Sequence, residues 1–110
     1  MTDSFKEYQA FTDTTAIYPQ SGTGEDIALA YVAMGLAGEA GEISNKVKKV
    51  VRDGEYDAVA LSEELGDVLY YAARFAAELG TSLNLIARDN MTKLNSRKER
   101  GVLGGNGDSR

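Results

Sequence analysis

Two long segments of this chain repeat apolar residues at helical spacing, and a glycine closes each. Nothing else in the sequence restricts the fold as much. From Glu25-Asp26 to about Arg52, Val32, Leu36, Ile43, Val47 and Val50 share one face, and Gly54 follows as a stop. Asp57 can cap a further helix that continues to Leu79, with Gly80 behind it. Two shorter helices complete the chain. Ser4-Phe5-Lys6-Glu7 reads as a capping box opening the first, with Phe5, Tyr8 and Phe11 near one face as expected core. Thr81 or Ser82 caps the fourth, which runs to about Arg100. Tyr18-Pro19 and the run from Ser21 to Gly24 form a loop, and no segment alternates at strand period. The expected fold class is therefore all-α: a four-helix chain with a long antiparallel hairpin. Residues 1–100 form one domain, and the glycine-rich 101–110 a flexible tail.

The proportions of that hairpin imply a partner. Helices two and three span roughly 35–40 Å at 1.5 Å per residue, whereas a compact domain of this size has a radius of gyration of only about 13 Å. The third helix is apolar on two sides. Leu61, Val68, Ala72, Phe75 and Leu79 make one stripe, and Gly66, Tyr70, Ala73 and Ala77 a second. Two apolar sides call for two neighbours, so a homo-oligomer sharing a helical bundle is expected, with the second stripe against another protomer.

The chain contains no histidine and no cysteine. Ser-His-Asp and Cys-His catalysis, His/Cys zinc sites, redox CxxC motifs and disulfides are all excluded. A bound metal must sit on oxygen ligands, which favours magnesium, manganese or calcium. The net charge of −5 argues against a general nucleic-acid binder. The charge is also uneven: residues 1–67 carry thirteen acids and five bases, and residues 68–110 four acids and seven bases. An acidic centre beside a basic C-terminal segment suits a cation together with an anionic ligand. The longest uncharged apolar stretch, Ile27 to Gly38, is too short to span a membrane. The opening residues lack the basic and apolar regions of a signal peptide, so a cytoplasmic location is expected.

Two carboxylate pairs carry the chemistry. Glu39-Ala40-Gly41-Glu42 and Glu64-Leu65-Gly66-Asp67 each place two acids three residues apart, on one helix face. Glu39 lies inside the inward arc of the second helix and Glu42 at its edge. Glu64 is within reach of the Val68/Phe75 stripe. Carboxylates aimed inward are costly without compensation. In an antiparallel hairpin turning at Arg52-Asp53-Gly54, the two pairs lie level across one seam. Four acids so placed repel one another, and a divalent cation resolves the repulsion. A ferritin-like di-iron site is disfavoured, since it takes an ExxH histidine from each of two helices. Gly35, Gly38 and Gly41 are expected to permit close packing or metal access, and Lys46, Lys48 and Lys49 to be solvated.

The fourth helix adds a possible anion site. Leu83, Ile86, Ala87 and Leu94 mark its inward stripe, Asn90 and Arg97 fall within it, and Lys93 borders it. Such a set can hold phosphate oxygens, Arg as a planar fork and Lys as a point charge; it can equally snorkel at a helix rim. The tail can stay disordered or close over a polyphosphate as a lid.

The combination of Glu39-Ala-Gly-Glu42, Glu64-Leu-Gly-Asp67 and Asn90-Met-Thr-Lys93-Leu-Asn-Ser-Arg97 resembles the MazG-type nucleoside triphosphate pyrophosphohydrolases, in their short single-domain form. The resemblance covers roughly residues 27–110. It implies an all-α dimeric or tetrameric enzyme that splits a nucleoside triphosphate into the monophosphate and pyrophosphate with Mg2+, Mn2+ being possible, and that cleans nucleotide pools. On that pattern Glu39, Glu42, Glu64 and Asp67 hold the metal; a carboxylate of the set not fully used on metal, Glu39 or Glu42, can then accept the proton of the attacking water. Lys93 and Arg97 contact phosphates, and Asn90 the nucleotide. Related alternatives are a dUTPase- or dCTPase-like enzyme and a phosphoribosyl-ATP pyrophosphohydrolase. A different class is a non-catalytic helical interaction module.

Overall fold

The structure, a computed structural model, describes residues 4–110. It is all-α: α1 (Phe5–Asp13), α2 (Asp26–Asp53), α3 (Ala58–Glu78) and α4 (Leu83–Glu99), with no strand among the described residues. No helix there is long and apolar enough to cross a membrane. The helix ends follow local chemistry. Ser4, Asp57 and Ser82 each accept a backbone N–H three residues on, from Glu7, Ala60 and Leu85. Gly80 and Gly101 take left-handed φ values of 74° and 71°. There they close α3 and α4 as Schellman motifs, with Thr81 N–H to Ala76 O and Val102 N–H to Arg97 O.

α2 and α3 form the long hairpin. Gly35 faces Tyr71 and Glu39 meets Asp67, each pair equidistant from Asp53, so the register expected from the two acidic motifs is the observed one. A Cβ on Gly35 would lie 2.4 Å from the Tyr71 ring. Gly35 is thus a close-packing glycine, whereas Gly38 and Gly41 face open space.

Two small apolar clusters hold the rest. Tyr18, Ala28 and Val32 bury each other with Ala16, Tyr71 and Phe75 packed on them. Ala73, Ala76 and Leu83 do the same with Tyr8 and Ala72, joining α1, α3 and α4. This corrects the expected second stripe: Ala73 is fully buried within the chain and is not left for a second protomer. α1 takes the position that stripe offered. Its own aromatic face is less buried than expected, since only Tyr8 joins a cluster while Phe5 and Phe11 are exposed. The α4 stripe also differs. Leu83 is buried, but Ile86 and Leu94 are exposed, because α4 meets the other helices mainly through its first turn. Among the described residues α2 packs on no helix but α3. The radius of gyration is 16.5 Å, well above the roughly 13 Å of a compact domain.

Candidate metal centre and its surroundings

Glu39 on α2 and Glu64 and Asp67 on α3 each offer an oxygen such that all three lie within 4.8 Å of one another. Helix geometry explains the meeting: Glu64 and Asp67 are one turn apart on the α3 face turned to α2, and the register brings Glu39 opposite. Partial burial pushes the Glu39 carboxyl up, and the negative charges of Asp67, Glu64 and Glu42 push it further the same way. Glu42 stands one turn along α2, exposed and outside the close trio. Three of the four expected ligands are therefore together and the fourth is adjacent.

Lys46 is not simply solvated. Its Nζ lies 3.5 Å from Glu64 Oε1, two turns beyond Glu39 on the same face of α2. On the other side of the trio, Phe11, Thr15, Tyr70 and Tyr71 line a cavity of about 430 Å³ that Glu39 and Asp67 share. Tyr70 and Tyr71 meet edge to face at 5.2 Å, and Thr15 Oγ1 donates to Tyr70 Oη at 3.1 Å. Phe11 is 63% exposed, so its ring is open to this cavity.

The α4 residues lie elsewhere. Asn90 is exposed. Lys93 and Arg97 both pair with Asp108, at 3.6 and 3.2 Å, rather than with the acidic trio. The tail expected to be flexible folds back on α4 to make these contacts, and Arg97 is only 4% exposed beneath it. Arg97 and Lys93 hold the Asp108 carboxyl below the usual carboxylate range. An anion therefore does sit on the two bases, and it belongs to the chain itself.

The sequence reading missed a buried polar network. Arg74 is 2% exposed on α3; its Nε donates to Tyr18 Oη at 3.1 Å, and Nη1 donates to Thr12 Oγ1 at 3.2 Å and to Asp13. Glu78, one turn on, accepts from Gly22 N–H at 2.7 Å, Gly24 N–H at 2.9 Å and Tyr18 Oη. Burial opposes the charge on Glu78, but the hydrogen bonds from Tyr18, Gly22 and Gly24 and the nearby Arg74 outweigh it and hold its pKa below the usual range. The Tyr18 phenol is pushed up to about 12, first by burial and then by Glu78. This network ties the end of α1 and the 14–25 loop to α3, and so sets Phe11 and Thr15 at the aromatic cavity. One signal was available: Arg74 is the only charge in the run from Val68 to Ala77.

The profile of the MazG nucleotide pyrophosphohydrolase domain matches residues 29–102. Gene 37 protein of Mycobacterium phage L5 is 49% identical over 111 residues, covering 94% of this chain and 96% of that protein. No solved structure gives a significant match. The matched segment holds both acidic pairs and all of α3 and α4, about two thirds of the chain, and the fold is the all-α one those motifs imply. On these grounds the chain belongs to the MazG nucleotide pyrophosphohydrolase family.

Proposed function

We propose that this protein hydrolyses nucleoside triphosphates, ribo- or deoxyribo-, to the monophosphate and pyrophosphate with Mg2+, Mn2+ serving in its place, and that it removes unwanted nucleotides from the pool. The observation that carries the reading is the trio of Glu39, Glu64 and Asp67 opening directly onto an aromatic cavity. The donor set fits such an ion. It is all oxygen, it converges from two helices, and the raised pKa of Glu39 reports negative charge that one lysine does not offset. When bound, the ion neutralises phosphate oxyanions and orients the chain of phosphates.

The residues divide the remaining work. Glu39, Glu64 and Asp67 ligate, and Glu42 reaches in from the next turn to complete the set. The α2 pair also supplies the proton acceptor, Glu39 or Glu42, for the attacking water. Phe11, Tyr70 and Tyr71 offer flat apolar walls to a base, and the Thr15 and Tyr70 hydroxyls offer polar contacts at its edge. Lys93, Arg97 and Asn90 bind phosphates and nucleotide once Asp108 gives way.

The test is a panel of canonical and damaged nucleoside triphosphates with Mg2+, with products separated by chromatography. Monophosphate plus pyrophosphate is expected, and Asp67→Asn should abolish it while leaving helicity intact. Diphosphate plus orthophosphate at comparable turnover would reject the assignment. Turnover confined to dUTP or dCTP, or to phosphoribosyl-ATP, would select one of those relatives. Absence of both turnover and metal binding would leave a helical interaction module.

A further inference from the structure

We infer that Lys46 is an exchangeable counter-ion of the acidic centre, paired with Glu64 before a divalent cation binds and released by that cation to grip the terminal phosphates of the substrate. The inference rests on the pyrophosphohydrolase reading and adds to it the direction in which the nucleotide lies.

Lys46 follows Glu39 by seven residues and Glu42 by four, so all three rise along one face of α2. Its ammonium lies 3.5 Å from Glu64 and the side chain is 39% exposed, so the pair is open to solvent and the lysine has room to move. A lysine in that position offsets part of the repulsion among Glu39, Glu64 and Asp67. A divalent ion in the trio needs the Glu64 oxygen and repels the ammonium, so Lys46 must swing away.

The direction of that swing is set by its surroundings. Beyond Lys46, toward the hairpin end, lies a cleft of about 380 Å³ whose near rim carries Lys46 and Lys49. Asp53, Glu55 and Asp57 line the same cleft, which confines an oxyanion to the lysine rim. The aromatic cavity lies on the opposite side, reached through Glu39 and Asp67. Along the hairpin the order is therefore Tyr70 and Tyr71, then Asp67 and Glu39, then Glu64, then Lys46. A triphosphate laid along this line puts its base among the aromatics and its α-phosphate near the carboxylates. The β- and γ-phosphates, which leave as pyrophosphate, then lie at Lys46. A displaced ammonium placed there makes charge-assisted hydrogen bonds to the leaving group.

Calorimetry on Lys46→Gln and Lys46→Arg tests this, with Mg2+ alone, then with inorganic pyrophosphate, a nucleoside monophosphate and a non-hydrolysable triphosphate analogue, each in saturating Mg2+. Without nucleotide, Lys46→Gln should bind Mg2+ roughly three- to tenfold more tightly, because a competing cation is gone. It should bind pyrophosphate and the analogue about 10- to 100-fold more weakly, with monophosphate affinity unchanged. Lys46→Arg should resemble the wild type throughout. Unchanged Mg2+ affinity in Lys46→Gln, or equal weakening of pyrophosphate and monophosphate, would reduce Lys46 to a surface ion pair. A wild type that binds neither Mg2+ nor Mn2+ would bring down the metal reading and this inference with it. A wild type that binds and cleaves, beside a Lys46→Gln variant without the opposed shifts, defeats this inference alone.

Discussion

Glu39 and Glu78 are both partly or fully withdrawn from water, yet their pKa values move in opposite directions, and stability should follow. The folded pKa of Glu39 is raised, so its favourable contribution exists at low pH and is lost as pH rises through that value. At neutral pH without metal, Glu39→Gln should therefore raise the melting temperature, and if the acidic trio holds the proposed Mg2+, added Mg2+ should no longer stabilise the variant. A lower metal-free melting temperature would contradict this. The folded pKa of Glu78 is lowered, so its contribution is present above the unfolded value near 4.5 and lost as pH falls through the folded one. Glu78→Gln should cost roughly 3 kcal/mol at neutral pH, because it removes the buried anion that accepts from Tyr18, Gly22 and Gly24 and leaves Arg74 with Asp13 as its one remaining carboxylate. That corresponds to a fall of roughly 10 °C or more in melting temperature, and to a weaker acid dependence below the ordinary carboxylate range. The two residues also differ in how far the sequence revealed them. An inward carboxylate such as Glu39 betrays itself by breaking an apolar arc. Arg74 and Glu78 are one turn apart on a helix, and such a pair ordinarily lies on the solvent face. Their burial depends on a loop folding over them, which no local pattern encodes.

At the level of elements, the hairpin was legible because its determinants are local: Asp57 and Ser82 as caps, Gly54 and Gly80 as stops, and two acidic motifs that fix the register. The glycines within α2 were legible only as a group, and structure divides them. Gly35→Ala drives a Cβ into the Tyr71 ring. Overpacking costs about 1–3 kcal/mol against a helix-propensity gain of about 1 kcal/mol, so a net loss of about 1 kcal/mol is expected. Gly41→Ala meets nothing and should gain up to about 1 kcal/mol. Denaturant melts of the two variants should therefore move in opposite directions. The α4 stripe misled the sequence reading because periodicity shows that a face is apolar without showing what covers it. The contact between the tail and α4 was not legible because composition does not report that Asp108 can reach Lys93 and Arg97. If those two bases serve phosphates, Asp108→Asn should lower KM for the triphosphate severalfold and leave Mg2+ affinity unchanged. An unchanged KM would remove the α4 pair from the substrate site.

The molecule as a whole carries more apolar surface than its clusters can bury. Leu65, Leu69, Met34 and Met91 are exposed, and the buried apolar residues are few and mostly small. We expect self-association: a sedimenting mass at micromolar concentration of at least two chains, and a melting temperature that rises with concentration. A monomer at that concentration would contradict it. Ala73→Arg cannot serve as the test, since Ala73 lies in the core and its loss would unfold the chain. Leu65→Gln with Leu69→Gln removes apolar groups from the α3 surface at little cost to one chain, and should weaken association while helicity persists. Against this sparse interior, the loop between α1 and α2 is the exception, because one carboxylate binds it at Tyr18, Gly22 and Gly24. Loop amides normally exchange with deuterium as fast as free peptide, and helix amides slowly. Here the ranking should invert: the N–H groups of Gly22 and Gly24 should exchange only when α3 itself opens, outlasting those of the last turns of α2 around Lys48 and Val51. An irregular segment would then be among the last parts of the protein to loosen, and the wall of the aromatic cavity that it supports would keep its shape while the far end of the hairpin frays.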